Sequence, residues 1–213
     1  MTTFVVHGQA TLSHPAQIAT LTVTVVARGD DRAELASLVS EDHALLLAQL
    51  DALGDAAPER SSGGLVTDTY YDYPGDGQSI LRSRARVSTV LVFTDFALLG
   101  RLAGDWASEP LFELDGLSWT LSDETSHALI RRARVDAVND AVGRAAEYAA
   151  ALGAGSPTLE RLYEDGLRPS GGGGGGFAKA MMMDVGGAGG SGAFDLAPPA
   201  IEVSVEISAD FVA

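Results

Sequence analysis

The longest helical pattern in the sequence is "SDETSHALIRRARVDAVNDAVGRAAEYAAALG", Ser122–Gly153. It predicts one long helix, because Ser122 suits the N-cap, two acids follow at the positive helix end, and Gly153 suits the stop. Alanine recurs in it at positions 133, 137, 141, 145 and 149. Residues four apart lie on the same helix face. These alanines, which we call the alanine ridge, therefore predict a smooth face that packs closely on a sheet or on another helix.

Charged residues on the same helix have two interpretations. Arg131, Arg132 and Arg134 precede Asp136 and Asp140, which invites an active-site hypothesis. The alternative, which we favour, is ion pairing along the helix surface, since the pairs 132/136 and 140/144 have i, i+4 spacing. Such pairs are worth roughly 0.3–0.5 kcal/mol each.

Alternating side chains predict strands at both ends of the chain. In "PAIEVSVEISADFVA", Pro199–Ala213, apolar residues alternate with polar ones, and this is the clearest strand pattern. Strands are also predicted at Thr3–Thr11 and Gln17–Gly29, with "SHPA" as the turn between them. A period of two indicates half-buried antiparallel strands.

The remaining patterns complete an α+β fold. They predict a helix at Asp30–Gly54, a hairpin of Leu65–Tyr73 and Ile80–Phe93 with "PGDG" as its turn, a short helix capped by Thr94 or Asp95, and strands at 111–123 and 158–166. The order contains two ββα units and suggests a loose internal duplication. We expect one domain over residues 1–213, an antiparallel sheet with the long helix of the C-terminal half packed on it.

A glycine-rich stretch, "GGGGGGFAKAMMMDVGGAGGSGAF", occupies Gly171–Phe194. It lacks the Gly-Lys-Ser/Thr of a phosphate-binding loop. Since only one strand follows, and one strand cannot fold alone, we predict an insertion at about 169–197 within the domain. One interpretation is a passive excursion, another is docking on a neighbouring subunit, and a third is Cu(I) binding by methionine sulfurs. The docking candidates are Phe177, Met181, Met182, Met183 and Phe194.

The predicted hairpin supplies further interaction candidates. Its sequence "TDTYYDYPGDGQ" contains Tyr70, Tyr71 and Tyr73. One hypothesis is a contact patch for another protein. The alternative is that the tyrosines only pack across strands.

Composition disfavours several classes of partner. The formal net charge is −15, which repels phosphate backbones and anionic membrane surfaces. The chain has no cysteine, so it has neither disulfides nor thiolate sites. Its first residues show no secretory signal, and no apolar run is long enough to span a membrane. We therefore expect a cytoplasmic protein that binds no nucleic acid.

Motifs of catalysis are weak. The histidines at 7, 14, 43 and 127 lie on different predicted elements, and none has metal-site spacing with another ligand. Glu41, Asp42 and His43 are interpreted as a solvated helix face. There is no G-x-S-x-G nucleophile motif. We predict no metal, no cofactor and no enzymatic activity.

Several stretches together resemble the SIMPL-domain family, also called DUF541. They are "VVHGQATLSHPAQIATLTVTV", "LVFTDFALLGRLAGDWASE", "LDGLSWTLSDE", the alanine-rich helix and "PPAIEVSVEISADF", in the family's order over nearly the whole chain. Bacterial members include oxidative-stress defence and outer-membrane-antigen proteins, and animal members include an interleukin-receptor-associated-kinase-binding protein. The resemblance implies one α+β domain and a ring- or channel-like homo-oligomer. It offers no catalytic residues.

Two functional hypotheses follow. The first is a non-enzymatic homo-oligomeric assembly protein with a stress-related role. The second is an adaptor or chaperone-like module that binds another protein through the tyrosine hairpin or the glycine- and methionine-rich stretch. An unrecognised hydrolase or metal-dependent enzyme is the third and weakest.

Overall fold

A computed structural model of the chain describes residues 2–73, 79–164 and 197–213. These residues form three α-helices and eight strands. The helices are α1 (Arg32–Asp51), α2 (Phe96–Trp106) and α3 (Asp123–Ala151). The strands are β1 (Thr3–Pro15), β2 (Ile18–Gly29), β3 (Glu59–Ser62), β4 (Val66–Asp72), β5 (Ile80–Phe93), β6 (Phe112–Thr120), β7 (Thr158–Glu164) and β8 (Ala200–Val212). A short 3₁₀ turn, Gly54–Ala56, follows α1.

The elements divide into two compact units. One contains β1, α3, β7 and β8, and the other contains β2 to β6 with α1 and α2. All the strand pairs whose register is resolved are antiparallel. The α+β class predicted from the sequence is therefore confirmed. The predicted single domain stays a prediction, and its glycine-rich insertion falls almost entirely outside the described residues.

The first unit is a three-stranded sheet covered by one long helix. The strand order is β1-β8-β7, and α3 packs on β1 and β8. Ser122 caps the helix by accepting a hydrogen bond from the Thr125 N–H at 3.3 Å, and Gly153 follows the helix end with a φ of 65°. A positive φ favours glycine. Both predicted helix ends are confirmed.

The alanine ridge is the face that α3 buries. All five alanines are at most 2% exposed. They pack against apolar side chains of the sheet: Phe4, Val6, Val205, Ile207, Ala209 and Phe211. The predicted packing of the ridge on a sheet is confirmed.

One glycine sets how closely helix and sheet approach. A Cβ atom added to Gly8 of β1 would lie 2.0 Å from the Ala137 backbone oxygen and 2.8 Å from the Ala141 Cβ. No larger residue fits at position 8 unless the strand or the helix moves. Beside it, the Gln9 N–H donates a hydrogen bond to the Asp140 carboxylate at 3.0 Å. That hydrogen bond makes the largest contribution to lowering the pKa of Asp140 below its ordinary value of 3.8.

The second unit is a five-stranded sheet. The order is β3-β5-β2-β6, and β4 also pairs with β5. Helix α1 packs on β2 and β5 and buries four apolar side chains, Leu35, Val39, Leu46 and Leu50. Asp31 and Asp95 cap α1 and α2 by accepting two backbone N–H bonds each.

Three details differ from the sequence-based prediction. The predicted "SHPA" turn is wrong for Ser13, His14 and Pro15. These residues belong to β1, which stays paired with β8 as far as Pro15↔Ala200. β1 and β2 do not pair with each other but belong to different sheets. The strand β3 was not predicted, because its sequence "ERSS" is polar and all four residues are exposed.

We predict that Gly8→Ala destabilises the protein by about 2–4 kcal/mol, because the new methyl group meets helix backbone that cannot move away cheaply. Gly143→Ala is the matched control. Gly143 lies within α3 and has nothing within 4 Å of its added Cβ. This control should stabilise by about 0.5–1 kcal/mol, as alanine does in an open helix position.

Urea unfolding followed by circular dichroism measures both changes. A Gly8→Ala variant that unfolds at the wild-type urea concentration would contradict the close approach of β1 and α3.

Candidate interaction site on the β4–β5 hairpin

The hairpin of β4 and β5 extends past the strand beside it. β2 pairs with β5 only as far as Gly29↔Ser83. Beyond that point Ile80, Leu81 and Arg82 pair with β4 alone, through Asp72, Tyr71 and Tyr70. The predicted hairpin is confirmed, and its "PGDG" turn lies outside the described residues.

One face of the hairpin is a charged network. Arg84 donates from Nε and Nη2 to the two carboxylate oxygens of Asp68, at 3.0 and 2.8 Å. Its guanidinium also lies 5.9 Å from the centre of the Tyr70 ring. Arg82 donates to Asp30 at 2.7 Å. The hydrogen bond from Arg84 is the main cause that lowers the pKa of Asp68 below its ordinary value of 3.8.

The opposite face is apolar and exposed. Tyr71 lies directly opposite Leu81, and these side chains are 61% and 57% exposed. Tyr73 is 73% exposed. Side chains alternate along a strand, so Leu81 shares its face with Ala85 and Val87, which are buried. Past the polar pair Ser83–Thr69, the buried face of β5 thus continues outward as the exposed pair Tyr71–Leu81. We call Tyr71, Leu81 and Tyr73 together the hairpin face.

The first residue of α1 marks where this face becomes exposed. Arg32 donates to the Thr67 carbonyl at 2.7 Å and to the Thr67 hydroxyl at 2.9 Å. Thr67 is opposite Ala85 in the strand register. Since α1 begins at this level, its side chains cover Ala85 and the residues that follow it, and the hairpin face lies beyond the helix start.

The three tyrosines singled out from the sequence therefore have two different environments. Tyr70 packs across strands against Arg84, as one hypothesis held, whereas Tyr71 and Tyr73 are presented to solvent, as the other required. Their role in binding stays a prediction. Phe177, Met181, Met182, Met183 and Phe194 lie outside the described residues.

One polar cluster around the buried Thr89 was not predicted from the sequence. His43 Nε2 and the Ser62 hydroxyl each share a hydrogen bond with the Thr89 hydroxyl, at 3.0 and 2.9 Å, and Thr89 is fully buried. Burial lowers the pKa of His43. The interpretation of His43 as part of a solvated helix face was wrong, because its ring points to β5. Its neutral imidazole satisfies a buried hydroxyl.

The ion pairs predicted on α3 are confirmed. Arg132 lies 3.8 Å from Asp136, and Arg144 lies 3.0 Å from Asp140. Asp140 has a second role that the spacing did not show, since it also accepts the Gln9 N–H. Within residues 2–73, 79–164 and 197–213, no group of three or more histidine and acidic side chains is placed to hold a metal ion.

A comparison with known families matches nearly the whole chain. A family model called SIMPL, described as a protein of unknown function (DUF541), matches residues 4–211. The chain belongs to the SIMPL family. The resemblance stated from the sequence is thereby confirmed. A comparison with curated proteins finds none that matches this SIMPL-family chain. None of the helices in its described part is long and apolar enough to cross a membrane. Its cytoplasmic location stays a prediction.

We predict that Asp68→Asn lowers stability at about pH 6 and has a much smaller effect at about pH 2, because the folded-state pKa of Asp68 is depressed. The stabilisation by a group of this kind is complete above its unfolded pKa, near 3.8, and is lost as pH falls through the lower folded pKa. Urea midpoints at the two pH values measure the difference. The exposed Asp115 supplies the control, Asp115→Asn. An equal effect of Asp68→Asn at both pH values would contradict the assigned pKa shift.

Proposed function

We propose that this SIMPL-family protein is a non-enzymatic, homo-oligomeric assembly protein, and that the hairpin face is a contact between copies. The observation that carries the proposal is the continuation of the buried face of β5 into the exposed Tyr71–Leu81 pair. The stress-related role and the ring- or channel-like form come from the family resemblance and belong to the proposal.

Exposed aromatic side chains on the hairpin favour a protein contact. Tyr71, Tyr73 and Leu81 are each more than half exposed and lie near one another around the hairpin end. Tyrosine is enriched in interfaces because its ring buries a large apolar area while its hydroxyl keeps a hydrogen bond. Covering this group removes apolar area from water.

Charge favours a second copy of the chain as the occupant. The protein carries −15, so two copies repel each other over most of their surface. Residues 66–86 are different, because three aspartates and three arginines balance there. A hairpin without net charge adds no local repulsion when a second acidic chain approaches it.

The free edge of β4 supports the same proposal. In the described chain β4 is paired with β5 along one side only. An unpaired strand edge offers backbone N–H and C=O groups to another chain. A ring requires a heterologous contact, in which the hairpin of one copy meets a different surface of the next copy.

The shifted carboxylates support a structural role over a catalytic one. Asp68 holds Arg84 within the hairpin, and Asp140 holds the backbone of Gln9 against α3. Each pKa shift is thus explained by a hydrogen bond that holds two parts of the fold together. Structural ion pairs and backbone hydrogen bonds perturb pKa values as catalytic sites do, so these two shifts need no catalytic role to explain them.

We predict that Tyr71→Ser combined with Leu81→Ser weakens self-association by about tenfold or more, because each change removes apolar area from the contact. Sedimentation velocity over a range of chain concentrations measures the dissociation constant. The salt concentration is kept at about 0.3 M so that screening limits charge repulsion.

The matched control is Tyr148→Ser combined with Leu152→Ser. These residues are 54% and 68% exposed, so the control removes the same two side-chain types from another surface. It should change the dissociation constant less than about twofold. A chain that stays monomeric at all concentrations would refute the assembly. Assembly that the control weakens as much as the hairpin change would refute the hairpin face as its site.

A further inference from the structure

A cleft lies between α1 and the turn that joins α2 to β6. Its volume is about 370 Å³. Apolar side chains line it, among them Leu45, Trp106 and Phe112, together with the carboxylates of Asp42, Asp105 and Glu109. All of these residues belong to the unit with the five-stranded sheet.

The floor of this cleft is held in place by hydrogen bonds. Trp106 is 1% exposed, and its indole N–H donates to the side-chain oxygen of Gln49 at 2.9 Å. The turn is closed by backbone bonds from Ser108 N–H to Asp105 C=O at 3.1 Å, from Glu109 N–H to Trp106 C=O at 3.0 Å, and from Phe112 N–H to Glu109 C=O at 3.2 Å. The apolar floor and the backbone of the turn that carries Asp105 and Glu109 are therefore preorganised.

All the charged residues that line the cleft are acidic. Its lining includes three carboxylates and no basic residue. Each ion pair within the part of the chain that the structure describes uses other acids. A cleft lined by carboxylates without a basic partner among its lining residues attracts a cation.

An apolar floor with carboxylates around it is complementary to a cation on an apolar stem. Arginine fits best, because its planar guanidinium donates two hydrogen bonds to one carboxylate and is more weakly hydrated than an ammonium group. Its methylene groups cover apolar surface while its charge meets the rim.

The surface next to the cleft indicates a polypeptide and not a small amine. Leu45 is 66% exposed at the cleft, so apolar area continues beyond the space that one cation fills. We propose that the cleft binds an arginine side chain of a partner polypeptide whose neighbouring residue is bulky and apolar and covers Leu45. This proposal does not depend on self-assembly.

The test uses the whole protein and the peptide acetyl-Leu-Arg-Leu-amide as probe. The indole N–H signal of Trp106 in a proton–nitrogen spectrum should move as peptide is added. Trp119 is an internal control, because it packs edge to face on Phe96 and does not line the cleft. The same peptide with citrulline in place of arginine has the same shape without the charge, and it should bind about three- to tenfold more weakly.

Paired variants test the carboxylates. Asp105→Asn with Glu109→Gln should weaken binding of the arginine peptide by about three- to tenfold. Asp115→Asn with Glu147→Gln removes the same charge from exposed positions elsewhere and should leave the affinity within about twofold. Equal losses in both pairs would overturn the proposal, since only the net charge would then matter.

Two other outcomes also overturn it. Equal affinity for the arginine and citrulline peptides would show that the rim does not recognise a cation. A shift of the Trp106 signal on Lys179→Gln alone, without peptide, would assign the cleft to this chain's own "FAKAMMM" segment, which contains its only lysine. Circular dichroism spectra of all variants confirm that each is folded.

Discussion

The contact of Gly8 with the Ala137–Ala141 turn of α3 is the constraint on which the first unit depends. A strand residue without a side chain meets a helix face built from alanine, so the two backbones approach more closely than larger side chains permit. Asp140 fixes the same place by accepting the Gln9 N–H. The three-stranded sheet of this unit then buries Phe4, Phe211 and their apolar neighbours against the ridge.

In the second unit, helices cover only part of one face of β5. Over most of β5 the buried face lies beneath helices, and its polar members are satisfied, as Thr89 is by His43 and Ser62. Past Ser83 the hairpin continues without β2 beside it, and the same face presents Leu81 opposite Tyr71. The hairpin's other face is stabilised internally by the Asp68–Arg84 pair, so the strands keep their register while their apolar side chains stay exposed. The internal bonds of the hairpin thereby stabilise it while Tyr71 and Leu81 remain exposed to solvent.

The sequence predicts local features of the structure, but it does not predict contacts between residues that lie far apart along the chain. The four-residue spacing of alanine shows a packing face, because helix periodicity is local. It does not show that Gly8 packs there, since Gly8 and Ala137 are 129 positions apart in the sequence. Alternation locates β1 and β2 but not their different sheets, because a period of two does not specify the partner strand. Alternation also places Tyr70 and Tyr71 on opposite faces of β4, but it does not show which of these faces α1 leaves exposed. The cleft is invisible in the sequence, because Asp42 and Glu109 meet only through the packing of α1 on the turn after α2.

Hydrogen exchange of the hairpin amides at increasing chain concentration tests the central claim, that the exposed hairpin is where copies of the chain meet. We expect the amides of β4 and of residues 79–82 to exchange more slowly as concentration rises, while those of β7, an edge strand of the first unit, do not change. Protection of the hairpin that is the same at every concentration, in a sample whose mass shows that the chain assembles, would contradict it.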